Sequence, residues 1–218
     1  ALKILKKNIS NKFINGPISK KFFLKKKYLG ITEYLAHRTK TKNFAMLIYN
    51  KEMSVSPLTT HLPIKKVSKT INENLIKSKI KLIEFFFKTH LKRKAKIAIT
   101  GLNPHCESID SFNEDEKIIK PTVKALNKSD HRIFGPFAAD TIFLKNNRKK
   151  YNVIIGMYHD QVLTPIKTLF EYDSINITLG LPFIRISPDH GPNERMLGKN
   201  KSNPLSLIKA LTFLDFRQ

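Results

Sequence analysis

The chain has 218 residues, 41% of them apolar and 10% aromatic, and carries 40 Lys+Arg against 17 Asp+Glu for a net charge of +23. That is enough chain to bury a core, and the composition argues against intrinsic disorder; apolar runs such as Phe44–Tyr49 fall far short of the roughly 18 residues a membrane span needs. A single cysteine, Cys106, excludes a disulfide scaffold and a Cys-based zinc finger and fits a reducing, cytoplasmic setting.

The chain opens on Ala1, with Leu2, Leu5 and Ile9 at helical spacing. We read this as the end of a helix whose earlier partners are absent, so the chain is expected to be a fragment. Phe13-Ile14 predicts a short strand before Asn15-Gly-Pro17. Phe44–Tyr49 predicts the next strand. Over Lys69–His90, apolar residues at Ile71, Leu75, Ile76, Ile80, Ile83, Phe86 and Phe87 predict a helix. Lys96–Thr100 predicts a strand, Glu114–Leu126 a helix and Val153–Met157 another strand. Ile175–Leu179 and Phe183–Ile186 alternate with period 2, as strands with two distinct faces do. Asn203-Pro204 followed by Leu205, Ile208, Leu211 and Leu214 predicts a capped final helix. Strands alternating with helices argue for a layered α/β fold.

Glycine is scarce, at eight residues, so it should persist where the backbone needs it. Several glycines stand just past predicted strands, the sheet edge where ligands bind in open α/β folds. Of seven histidines, His37, His90 and His131 sit among basic residues and read as surface. His61, His105, His159 and His190 sit in turn-like motifs, two of them just after strands. No short His-x-x-x-His spacing announces a metal. Imidazoles on one rim could converge on a divalent cation, with Asp140 and Asp160 as carboxylate neighbours; loop histidines bonded to backbone are the plainer alternative. Lys167, Asn176 and Arg185 form a cationic, amide-bearing set suited to a phosphorylated or carboxylated ligand. There is no Gly-x-Gly-x-x-Gly, no Walker A loop and no Gly-x-Ser-x-Gly elbow.

Six motifs in order, Thr59-Thr-His-Leu-Pro63, Gly101-Leu-Asn-Pro-His105, Gly135-Pro-Phe-Ala-Ala-Asp-Thr-Ile-Phe143, Met157-Tyr-His-Asp-Gln161, Asn176-Ile-Thr-Leu-Gly-Leu-Pro-Phe-Ile-Arg185 and Asp189-His-Gly191, resemble the signature of the 4-hydroxythreonine-4-phosphate dehydrogenase family of pyridoxal phosphate biosynthesis. The resemblance spans essentially the whole chain and matches the later two thirds of the family. It implies an isocitrate/isopropylmalate dehydrogenase-like α/β fold of two domains with the site in the cleft, here residues 1–28 with 200–218, and 29–199. It implies NAD(P)-dependent oxidation and decarboxylation of 4-phosphohydroxy-L-threonine to 3-amino-2-oxopropyl phosphate. It also implies one divalent ion (Zn, Mg or Co) on His61, His105 and His159. Thr32, Lys167, Asn176 and Arg185 would contact the substrate, with Asp140, Asp160 and Lys167 as candidate catalytic groups. A homodimer with a shared active site is implied as well.

The sequence departs from the family at Ile31, where His is usual, at Cys106-Glu-Ser-Ile-Asp110, where a glycine-rich stretch is usual, and at Pro192, where Thr is usual. A paralogue acting on another phosphorylated hydroxy acid is therefore an alternative, and the family's opening segment, which the resemblance does not cover, makes an inactive fragment another. A basic nucleic-acid-binding module is the alternative the charge suggests. Residues 1–100 hold 24 basic and 4 acidic residues, yet only 7 of the 40 basic residues are Arg, the better reader of phosphate and base edges. Base-stacking aromatics are not interleaved with the lysines, so we read a solvated Lys-rich surface.

Overall fold

The computed structural model describes all residues except 20–22, 25–26, 130–131, 193 and 216–218. His131 lies outside the described residues. The elements in chain order are α1 (Leu2–Lys6), β1 (Lys12–Ile14), α2 (Ile31–Arg38), β2 (Ala45–Tyr49), β3 (Ser54–Thr59), α3 (Glu73–His90), β4 (Ile97–Thr100), α4 (Lys120–Ser129), β5 (Ile133–Phe137), β6 (Val153–Tyr158), α5 (His159–Phe170), β7 (Ile175–Leu179), β8 (Ile184–Pro188) and α6 (Leu205–Asp215), joined by single helical turns. Among the described residues, no helix is long and apolar enough to cross a membrane.

The chain divides into two compact units, residues 1–50 with 170–218, and residues 51–169. The observed division falls at Asn50/Lys51, between the adjacent strands β2 and β3, and at Leu169/Phe170, at the end of α5. Neither place carries a glycine-rich or low-complexity linker to mark it.

In the unit of residues 51–169 four strands run in the order β3-β6-β4-β5, and every pairing is parallel. Parallel strands covered on both faces read as continuous apolar runs. Ile97–Ile99 and Val153–Ile155 are accordingly 0% exposed. On α3, Ile76, Ile80, Ile83 and Phe87 recur at helical spacing and are all buried. Each such side chain contributes roughly 1.5–3 kcal/mol.

The predicted helix over Lys69–His90 is in fact broken. A turn at Val67–Thr70 ends where Ile71 becomes extended, and Asn72 then accepts from Leu75 N at 2.9 Å to start α3 at Glu73. Capping by Asn outcompetes one continuous helix. The helix predicted from Glu114 begins as a π-helical turn at Asp115–Ile119 before α4. His90 is half-buried, its ring 5.3 Å from that of Phe86, whereas His37 is exposed as expected.

In the unit of residues 1–50 and 170–218 the strand order is β1-β8-β7-β2. β1 pairs with β8 in parallel, while β7 is antiparallel to both β8 and β2. Ala45–Ile48, Ile175, Ile177, Leu179 and Ile186 supply the buried apolar residues. Helix α6 meets β8, β7 and β1. Its start is held by Asn203, whose Oδ1 accepts from Leu205 N at 2.9 Å.

Candidate active site

Three histidines follow three neighbouring strands. β3, β6 and β4 stand side by side and parallel, so their carboxyl ends share one edge. His61 comes two residues after β3, His159 directly follows β6, and His105 lies in the loop after β4. The rings of His61 and His159 are 5.5 Å apart between centroids, tilted by 37°. The Asp160 carboxylate lies 2.7 Å from His159 Nδ1, which orients the ring and leaves Nε2 as the nitrogen not engaged by that carboxylate. Thr59 Oγ1 donates to Met157 O at 2.7 Å and ties the two strand ends together.

His105 does not join that pair. It lines a cavity of about 260 Å³ together with Asn103, Asp140, Tyr158 and Gln161. Among the described residues, no three His, Cys, Asp or Glu side chains are grouped closely enough to hold a metal ion. In its loop His105 is in a left-handed conformation, φ 56°, followed by Cys106 at φ 62°. The donor set still suits a divalent ion in kind. Imidazoles at the ends of adjacent strands, one with a carboxylate behind it, are ordinary ligands for such ions.

Gln161 knits this edge together. Its Oε1 accepts from Thr100 Oγ1 at 2.9 Å and from Met157 N at 2.7 Å, and its Nε2 donates to Gly101 O at 2.8 Å. Gln161 closes the Met157–Gln161 motif, and nothing in the local sequence pattern marks this bridging role. Burial, helped by the nearby Asp115 carboxylate, pushes the Cys106 thiol above its usual range.

Arg185 organises the other unit. It is 0% exposed. Its Nε donates to Asn15 Oδ1 at 2.7 Å and its Nη1 to Thr178 Oγ1 at 3.0 Å. Thr178 stands directly opposite Arg185 in the antiparallel pair, and Asn176 opposite Ser187. Asn176 and Thr178 are two apart, so both share the face that Arg185 joins. Thr32, in the first turn of α2, brings its hydroxyl to 3.5 Å from that of Thr178. Nη2 of Arg185 and Oδ1 of Asn176 are buried and make no hydrogen bond among the described residues, an arrangement that persists where a ligand or water meets such atoms. Burial lowers the guanidinium to about 10, against the opposing pull of the Glu33 carboxylate.

The expected residues thus sort by unit. Thr32, Asn176 and Arg185 gather around Thr178, which the sequence reading passed over although period-2 alternation places it beside Asn176. Lys167 is half-buried on α5 in the unit that holds the histidines. His190 is exposed, with its Nδ1 3.0 Å from Gly191 O, the plainer of the two readings for a loop histidine.

Comparison with known proteins follows the same lines. Residues 1–214 match the family described as pyridoxal phosphate biosynthetic protein PdxA. The chain is 41% identical over 215 residues to a 4-hydroxythreonine-4-phosphate dehydrogenase of Sulfurihydrogenibium sp. (strain YO3AOP1), covering 97% of this chain and 66% of the relative. It is 35% identical over 181 residues to a D-threonate 4-phosphate dehydrogenase of Pectobacterium atrosepticum, covering 83% and 56%. The chain spans less than two thirds of the length of these curated relatives. Among solved structures, it superposes on a 4-hydroxythreonine-4-phosphate dehydrogenase of Klebsiella pneumoniae with a TM-score of 0.78 and 31% identity, covering 97% of this chain and 67% of that one. An isocitrate dehydrogenase of Methylococcus capsulatus, at 10% identity and a TM-score of 0.58, shares the fold.

Proposed function

The chain belongs to the pyridoxal phosphate biosynthetic protein PdxA family, and we propose that it carries the metal and substrate groups of an NAD(P)-dependent 4-hydroxythreonine-4-phosphate dehydrogenase. The reaction oxidises the C3 hydroxyl of 4-phosphohydroxy-L-threonine, passing hydride to NAD(P)+ and releasing the hydroxyl proton. The resulting β-keto acid loses CO2 to give 3-amino-2-oxopropyl phosphate.

The observation that carries this reading is the buried Arg185 with one edge of its guanidinium unspent. Asn15 and Thr178 fix the other two nitrogens, so Nη2 is preorganised to donate to an anionic oxygen. Asn176 and Thr32 flank it with neutral polar groups. Lys167 supplies a second cation for the substrate. His61, His105 and His159 would hold a divalent ion, Zn, Mg or Co, with Asp160 fixing the His159 ring. Bound, such an ion supplies Lewis-acid charge at the substrate oxygen, and the nicotinamide supplies the hydride acceptor. Asp140, Asp160 and Lys167 are the proposed catalytic groups, Asp140 because it shares the cavity of His105. A cytoplasmic homodimer with a shared site belongs to the same reading.

A paralogue acting on another phosphorylated hydroxy acid is the second reading. Ile31, at the first position of α2, favours it: this side chain donates no hydrogen bond beside Thr32. The D-threonate 4-phosphate dehydrogenase among the relatives has such a substrate in its name. Steady-state kinetics with 4-phosphohydroxy-L-threonine, its unphosphorylated analogue and 4-phospho-D-threonate separates the readings. The first requires the highest kcat/KM for the first compound.

A further inference from the structure

The loop that carries His105 hangs from a residue outside it. Asp115 is 1% exposed. Its Oδ1 accepts from Leu102 N at 2.8 Å, and its Oδ2 accepts from Asn103 N and from Asn103 Nδ2, each at 3.0 Å. The carboxylate is itself seated by Asn113, whose Oδ1 accepts from Asp115 N at 2.9 Å. The loop lies hard against it: a Cβ on Gly101 would stand 2.6 Å from Asp115 Oδ1 and 2.6 Å from Cys106 Sγ. Beyond Asn103 the chain makes its costly turn, with His105 and Cys106 in succession at φ 56° and 62°. Non-glycine residues hold that conformation only where their surroundings over-determine it. Gln161 secures Gly101 O, but the next two backbone N–H groups are held by Asp115.

We propose that Asp115 is the positioning residue for His105: its carboxylate holds residues 101–106 in the strained turn that presents the imidazole to the cavity shared with Asp140 and Tyr158. The inference rests on the reading of His105 as a metal-site residue. The chemistry singles out a carboxylate. Both oxygens face N–H donors, so an amide at this position would set its own N–H2 against one of them. Asp115→Asn is close in size and yet breaks the brace.

Cys106, the only thiol in the chain, reports on the loop directly. It is partly covered, so its reaction with 5,5′-dithiobis(2-nitrobenzoate) speeds up as the loop opens. The rate is read on the alkaline plateau, where the thiol is fully ionised, so that lost charge alone does not change it. Asp115→Asn is expected to raise this plateau rate about tenfold or more, as loss of bonds to a charged acceptor makes local opening easier. Glu107→Gln removes a neighbouring charge without touching these bonds and should leave the plateau where it is. In parallel, Co2+ titration should show about tenfold weaker binding in Asp115→Asn, with His105→Ala setting the floor.

An unchanged plateau rate in Asp115→Asn overturns the proposal. So does a faster rate with Co2+ affinity equal to that of the wild type, since the brace would then not serve His105. If the wild-type chain takes up no Co2+, the metal reading fails, and the thiol rates alone decide whether Asp115 braces the loop. Should Asp115→Asn not fold, Asn103→Ala removes one of the three bonds. A rise of about threefold is then expected, and no rise contradicts the brace.

Discussion

Arg185 lies directly across the β7–β8 pair from Thr178, and its Nη1 donates to Thr178 Oγ1 at 3.0 Å. Cross-strand opposition places the two side chains on one face. The guanidinium is thereby aimed before any ligand arrives, so less ordering remains to be done on binding.

That aim makes Arg185→Lys a severe change. An ammonium cannot reach Asn15 and Thr178 while also presenting a third donor. A hydrogen bond to a charged group is worth about 1.5–3 kcal/mol, so Arg185→Lys should lower kcat/KM for the phosphorylated substrate by about ten- to a hundredfold. The unphosphorylated analogue should lose less. Equal losses for the two compounds would remove Arg185 from the anion site.

The buried guanidinium also gives a pH signature. Its pKa falls to about 10 in the folded chain, below the ordinary guanidinium range and chiefly through burial. A base with a depressed folded pKa carries its burial penalty while protonated, so the penalty is complete below about pH 10. As pH rises from there toward the ordinary guanidinium range the unfolded chain binds more protons than the folded one, and the penalty fades. Wild type should therefore gain stability relative to Arg185→Gln between pH 9 and pH 11. Urea denaturation at a series of pH values reads the difference. A flat difference would mean the group is not desolvated as described.

Gln161 holds three groups from two strand ends. Each net bond contributes about 1 kcal/mol, so Gln161→Ala should cost about 2–3 kcal/mol in urea denaturation. Gln161→Glu should cost at least as much, because it turns the donor facing Gly101 O into a second acceptor. A loss below about 0.5 kcal/mol in both would show that the strand ends are held by other contacts.

Ile31→His restores the residue usual in the family at the start of α2. It should lower KM for 4-phosphohydroxy-L-threonine and leave Co2+ affinity unchanged, since Ile31 and the histidine set lie in different units. A raised KM would favour a pocket rebuilt for another phosphorylated hydroxy acid.

The strongly apolar strands and the long helix were legible because their patterns are local. Val153–Met157 and Ile175–Leu179 fall inside observed strands, and the periodicity of α3 is right from Glu73 onward. β3 was missed because Ser54-Val-Ser-Pro-Leu-Thr59 mixes small polar residues with proline, and β5 because Gly135-Pro136 reads as a turn. α5 contains Pro165, which masks a helix in sequence. Arg185 stood out among apolar neighbours, but its partner Asn15 is 170 residues away, and only the parallel pairing of β1 with β8 brings it near. Asp115 carried no sequence signal at all. Its function depends on a loop that folds back on it, and no periodicity records that.

Product stoichiometry distinguishes an oxidative decarboxylation from any other reaction of the phosphorylated substrate. The metal-loaded protein is incubated with 4-phosphohydroxy-L-threonine and NAD(P)+, while NAD(P)H absorbance and released CO2 are measured together. Both should rise in a one-to-one ratio, and the single changes His61→Ala, His159→Ala and Arg185→Lys should each slow both in parallel. Folded, metal-loaded protein that forms neither product, or whose turnover is indifferent to these three side chains, would contradict the proposed function.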